Sequence, residues 1–116
     1  MSSAERWLAG RLEGAPPGLL DCMREALPAD EVAVPEALAS AAMRLLAEVA
    51  TSDGTRGQAL PLLAADALLT HAFQAQAEID VAGTAGLAER YGIRGALGEI
   101  ADRLLDQDQN SADGVR

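Results

Sequence analysis

A long segment of almost uniform apolar character constrains the fold of this chain most strongly. Over residues 60–73, apolar side chains cover nearly the whole circumference of a helix. A helix that is apolar on all sides is typical of the buried centre of a protein. We therefore predict a central helix over about residues 58–78, with Pro61 in its first turn, where proline is tolerated.

The residues on either side of this segment have helical periodicity as well. Ser2 and Glu5 have the spacing of a capping box that begins a first helix. Thr84 is predicted to cap a short fifth helix, and Gly92 to end it in the conformation that glycine favours there. The flanking helices are predicted over about residues 2–13, 16–27, 84–91 and 95–106, with one more from Pro35 to a turn at 52–54.

Composition supports the same class of fold. Alanine and leucine dominate, whereas the β-branched and aromatic residues that strands favour are scarce. The sequence predicts an all-α domain of five or six helices, packed around the central helix over residues 1–106. The polar stretch 107–116 is predicted to be a flexible tail.

Charge and cysteine content exclude several classes of function. The net charge is -9, and every basic residue is arginine. Nucleic acid and anionic membrane surfaces are disfavoured, because both require clustered positive charge. The longest apolar run, 60–69, is shorter than the roughly 20 residues of a membrane span. A lone Cys22 and an N-terminus without signal-peptide character indicate the cytoplasm.

Asp66 is the most unusual residue of the central segment, because a carboxylate stands there among leucines and alanines. It could face a binding pocket, with His71 and Phe73 helping to orient a small apolar ligand. The alternative is a structural carboxylate that pairs with an arginine or caps another helix, which is the commoner role of a charge among apolar residues. His71 lies five positions further along and points to another side of the helix.

Glu99, Asp102 and Asp106 lie at positions i, i+3 and i+7 of the last predicted helix. Carboxylates on one helical stripe could bind a divalent cation, or they could form a solvated acidic face. A nucleophilic pair of Cys22 and His71 would require the fold to bring them together. No sequence motif requires a cofactor, and we expect none.

Part of the chain resembles a known family. Residues 62–73 (LLAADALLTHAF) resemble a segment of isoprenyl diphosphate synthases that reads roughly leucine-alanine-glycine-aspartate-alanine-leucine-leucine. Residues 92–102 (GIRGALGEIAD) resemble the glycine-rich helix start that follows, so the resemblance covers about 62–105. That family binds magnesium and diphosphate through aspartate-rich motifs, and nothing in 35–57 matches the first of them. Asp66 matches a position that is not a metal ligand, so the resemblance implies helical packing and no catalytic residue.

These observations favour a non-catalytic interaction or regulatory protein whose partner is another protein or a second copy of the chain. A helix that is apolar on all sides can have more apolar surface than five short helices cover. A second copy of the chain could cover the remainder, which favours a homodimer. The alternatives are a binder of a small apolar ligand near Asp66 and His71, and a small hydrolytic or metal-assisted enzyme.

Overall fold

The computed structural model describes residues 1–51 and 56–93, together with positions 95, 98, 99, 101, 102 and 105. Every regular element in these residues is helical, which confirms the all-α class. The α-helices are α1 (Ser3–Arg11), α2 (Pro17–Ala26), α3 (Val34–Ala50), α4 (Ala59–Ile79) and α5 (Thr84–Arg90). Short 3₁₀ turns, Arg56–Gln58 and Val81–Gly83, stand on either side of α4.

Some predictions fall wholly or partly outside the described residues. The predicted turn at 52–54, Asp106 and the predicted tail 107–116 are among them. The described positions between 93 and 105 have helical backbone, as expected for the sixth helix.

Local sequence signals explain the ends of the first two helices. The Ser2 hydroxyl accepts a hydrogen bond from the backbone N–H of Glu5 at 3.2 Å, which confirms Ser2 as the cap of α1. Pro17 occupies the first position of α2, where its missing N–H costs nothing. Leu27 takes an extended conformation, because the ring of Pro28 excludes the helical region for the residue before it.

The start of α5 differs from the prediction. Thr84 is the first residue of α5 rather than its cap, and its hydroxyl donates to the carbonyl of Val81 at 2.9 Å. Asp80 performs the capping one turn earlier, where its carboxylate accepts from the N–H of Ala82. The chain therefore enters α5 through a capped 3₁₀ turn. Gly92 has φ 60°, which confirms the predicted glycine after α5.

The core lies mainly between α3 and α4, with α2 packed against both. Small side chains fill the helical faces that are buried there, and they allow helix axes to approach closely. The buried alanines are Ala37, Ala39, Ala41 and Ala42 on α3, and Ala64, Ala65, Ala72 and Ala75 on α4. Larger fully buried side chains complete the core: Leu8, Met23, Leu38, Leu68 and Leu87.

The helix α4 is central, since it contacts α2, α3 and α5, but it is not buried on all sides. Leu62, Leu63, Asp66 and Thr70 follow one exposed face through its first three turns. The expectation of an all-round buried helix is therefore wrong for this half of α4, because its neighbours cover only the opposite face. Within the described residues, none of the helices combines the length and hydropathy needed to cross a membrane.

Candidate functional site

Exposed leucines gather at the start of α4. Leu60, Leu62 and Leu63 are 43%, 41% and 52% exposed, and we call them the α4 patch. Leu60 borders α2, since a Cβ built on Gly18 would lie 3.8 Å from its Cδ2 atom. Large apolar side chains usually lie in the interior, and an exposed group of them often marks an interaction surface.

A groove lies where α2, α3 and α4 meet. Its volume is about 310 Å³, and Pro61 forms the side that belongs to α4. Glu25, Arg44 and Glu48 line it together with the thiol of Cys22. Neither glutamate carboxylate forms an ion pair with a described residue. We call this feature the acidic groove.

Cys22 does not have the properties of a nucleophile. Burial raises the pKa of its thiol, and the negative charges of Glu25 and Glu48 raise it further. The thiol is therefore protonated at neutral pH, whereas a reactive cysteine needs its thiolate form. Cys22 lines the groove beside Pro61, and His71 lies ten positions further along α4, about 15 Å away along the helix axis. The structure does not bring the two side chains together.

Asp66 lies at the surface of the exposed face of α4. Its backbone carbonyl accepts a hydrogen bond from the Thr70 hydroxyl at 3.0 Å. Its carboxylate forms no hydrogen bond or ion pair with any described residue. Asp66 is thus exposed and forms no ion pair with a described arginine, and it adds a negative charge one turn beyond Leu62 and Leu63.

His71 points toward α1 instead. Its ring meets the Trp7 ring edge-to-face, with centroids 5.6 Å apart, and its Nδ1 lies 3.1 Å from Oε1 of Gln74. Arg11 stacks over the Trp7 ring, with its Cζ 3.9 Å from the ring centroid. Its Nη2 donates to the Glu78 carboxylate at 2.7 Å. These contacts hold α1 against α4. An exposed ion pair such as that of Arg11 and Glu78 contributes up to about 1 kcal/mol to stability.

The structure therefore places the three residues of the predicted ligand site in different surroundings. Asp66 faces solvent, His71 faces α1, and the half-buried Phe73 packs against the core. The prediction of a ligand near these residues stays a prediction.

The predicted metal-binding stripe is described only in part. Glu99 and Asp102 are exposed, and Asp106 lies outside the described residues. Among the described side chains, no group of three histidines, cysteines or carboxylates is placed to hold a metal ion.

Glu31 has a structural role that the sequence patterns did not indicate. It follows α2 in a loop, yet its Oε1 and Oε2 atoms accept from the backbone N–H of Ser3 at 3.1 and 3.4 Å. Ser3, through its hydroxyl and its backbone N–H, lowers the pKa of Glu31, and the charge of Arg6 adds to this effect. A carboxylate at a helix N-terminus is favourable because unpaired N–H groups point toward it. No local spacing could have revealed a contact across 28 positions.

We expect Glu31→Gln to reduce the stability of the protein at neutral pH. Because folding lowers the pKa of Glu31, its charged form stabilises the fold above the ordinary value of 4.5, and this contribution is lost as the pH falls through the lowered pKa. The difference in unfolding free energy between wild type and variant should therefore shrink toward zero in acid. Urea denaturation at a series of pH values measures it.

Glu13→Gln is the matched control, because Glu13 is exposed and forms no hydrogen bond or ion pair with a described residue. A Glu31→Gln difference that persists undiminished in acid would show that the charge of Glu31 is not its source.

We compared the chain with protein-family models, curated proteins and solved structures, and none of the three comparisons produced a match.

Proposed function

We propose that this chain is a non-catalytic helical interaction protein, and that the α4 patch is the surface through which it binds. The observation that carries the proposal is the exposure of Leu60, Leu62 and Leu63 within the first turns of the most apolar helix, where Leu62 and Leu63 share its open face. Removing apolar surface from water stabilises a folded protein by roughly 25 cal/mol per Å². The exposed part of these side chains does not contribute this stabilisation. A partner that covers them would recover it.

The polar residues support the same proposal. Asp66, His71 and Cys22 lie in three different surroundings, so these three side chains do not form a nucleophile, base and orienting group. Glu31, Arg11 and Glu78 are occupied by contacts between helices. The cytoplasm is the location that we propose, because the described cysteine is a free thiol and a reducing compartment keeps thiols in this form.

The test is affinity capture from cells that express the chain, with wild type compared against Leu62→Ser/Leu63→Ser. We expect specific partners to bind wild type and to be lost from the variant, because two of the three patch side chains have become polar. Ile79→Ser is the matched control, since Ile79 is 69% exposed at the opposite end of the same helix. Its captured proteins should equal those of wild type.

Circular dichroism should confirm that all three proteins have the same helix content. If the patch variant retained every partner of wild type, the α4 patch would not be the binding surface. Light scattering across a range of concentrations measures association between copies of the chain in the same samples.

A further inference from the structure

We propose that the partner of the α4 patch is a second copy of this chain, which packs its own α4 against the same side in the antiparallel direction. This inference rests on the proposed function and adds the identity and the register of the partner. The contact runs along a row of six residues that we call the α4 seam. They are Ala59, Leu63, Asp66, Thr70, Phe73 and Ala77.

The spacing of the α4 seam suits a helix that packs alongside α4. Its residues follow one another at alternating intervals of four and three positions, which is the heptad spacing of paired helices. Five of them are exposed, and Phe73 is half-buried. Leu62 lies at the edge of the same side and is 41% exposed. The described helices pack against the opposite side of α4, so the α4 seam is open to another helix.

The order of side chains along the α4 seam selects the partner. Counted from either end, the seam has a small residue, a large apolar residue and then a polar residue. A second copy in the antiparallel direction therefore matches it in a single register, which is centred on position 68. The contact is isologous, so each pair of residues occurs twice. The pairs are Ala59 with Ala77, Leu63 with Phe73, and Asp66 with Thr70.

The polar pair explains the direction. The Asp66 carboxylate forms no hydrogen bond or ion pair with a described residue, and Thr70 carries a hydroxyl donor on the same side of the helix. In the antiparallel arrangement each Thr70 hydroxyl lies opposite the Asp66 carboxylate of the second copy and can donate to it. A parallel arrangement would place the two Asp66 carboxylates against each other, which opposes association.

The acidic groove lies away from the α4 seam. Pro61, which lines the groove, is five positions from Asp66 and is therefore rotated by about 140° around the helix axis. Glu25 and Glu48 accordingly lie on the other side of α4 and do not face the second copy. The net charge of -9 on each copy opposes association at longer range, where salt screens it.

The length of the α4 seam sets the expected strength of the dimer. From its first to its last residue the seam spans about 27 Å of helix. A contact between two single helices of this length buries less than the roughly 800 Å² per partner that is standard for stable complexes. We therefore expect a Kd in the micromolar range. Raising the salt concentration should strengthen the dimer, because salt screens the repulsion between two acidic copies.

Sedimentation velocity of the full chain, from about 1 μM to about 1 mM, measures the Kd of the dimer. We expect Thr70→Lys to strengthen the dimer and Thr70→Glu to weaken it. The two Kd values should differ by about tenfold or more, since residue 70 faces Asp66 of the other copy twice. Leu62→Ser/Leu63→Ser should dissociate the dimer, and Ile79→Ser should leave it intact.

Thr51→Lys and Thr51→Glu are the matched controls. Thr51 is also exposed, and its hydroxyl likewise donates to a backbone carbonyl of its own chain, that of Glu48, at 3.1 Å. These variants change the net charge by the same amounts away from α4, so their Kd values should stay within about twofold of wild type at moderate salt. Equal effects at positions 51 and 70 would overturn the proposed contact, since only the net charge would then matter.

Disulfide trapping tests the register. In a Cys22→Ser background, chains with Asp66→Cys are mixed with chains of different length that carry Thr70→Cys, and oxidised glutathione is added. We expect cross-links between positions 66 and 70 to exceed those between identical chains, because a disulfide forms only where the two cysteines lie close together. Predominant cross-links between two copies of position 66 would overturn the antiparallel register.

The outcomes separate this inference from the proposed function. A chain that stays monomeric at every concentration would overturn the second copy as the partner and leave the α4 patch free to bind another protein. A dimer that Leu62→Ser/Leu63→Ser leaves intact would also overturn it, because the contact would lie elsewhere. Only the retention of every captured partner by that variant counts against the proposed function.

Discussion

Leu68→Ala should lower the free energy of unfolding by about 2–5 kcal/mol, the range observed when a buried leucine is truncated. The Leu68 side chain is fully buried on α4. Its loss removes apolar contacts and leaves a cavity that the surrounding helices can fill only in part. Since a domain of this kind has roughly 5–15 kcal/mol of total stability, the variant should unfold at clearly lower urea concentration.

Leu63→Ala is the matched control, because it makes the same chemical change on the same helix at a residue that is 52% exposed. We expect a change within about 0.5 kcal/mol, as for other surface substitutions. Urea denaturation followed by circular dichroism gives both values. Equal losses in the two variants would show that the buried and exposed faces of α4 are wrongly assigned.

Ala65→Leu should destabilise the protein by about 1–3 kcal/mol, because extra methylene groups in a filled core force neighbouring side chains and backbone apart. Ala65 is fully buried on α4. The intrinsic helix propensity of leucine is close to that of alanine, so the expected loss comes from packing and not from the helix itself. The same urea experiment measures it.

Ala77→Leu provides the comparison for this substitution, since Ala77 is exposed near the end of α4. This substitution should leave the free energy of unfolding almost unchanged. If Ala65→Leu left the stability unchanged or raised it, the core beside Ala65 would have to contain unfilled space.

Most of the helical content could be predicted from the sequence. Ser2 caps α1 and Pro17 begins α2, and both depend on side chains that act within a few residues of themselves. The first turn of α4 contains Pro61, as the sequence indicated. The prediction for Thr84 is wrong because Asp80 caps a 3₁₀ turn that precedes α5, so that Thr84 is already a helical residue.

The candidate site was predicted less well. The apolar character of residues 60–73 indicated a surplus of apolar surface, but not where it would be exposed. Asp66 has apolar neighbours in the sequence, but its exposed position on α4 explains how a charge is tolerated there. The contact of His71 with Trp7 joins residues 64 positions apart, and no periodicity within one helix contains that information.

The sequence alone determined that this protein is helical, that its longest apolar helix is central and that its surface is acidic, because composition, periodicity and capping act through neighbours along the chain. The tertiary structure alone decided which side of α4 is covered. Burial depends on where α2, α3 and α5 pack, and those helices leave Leu62, Leu63 and Asp66 on the open side.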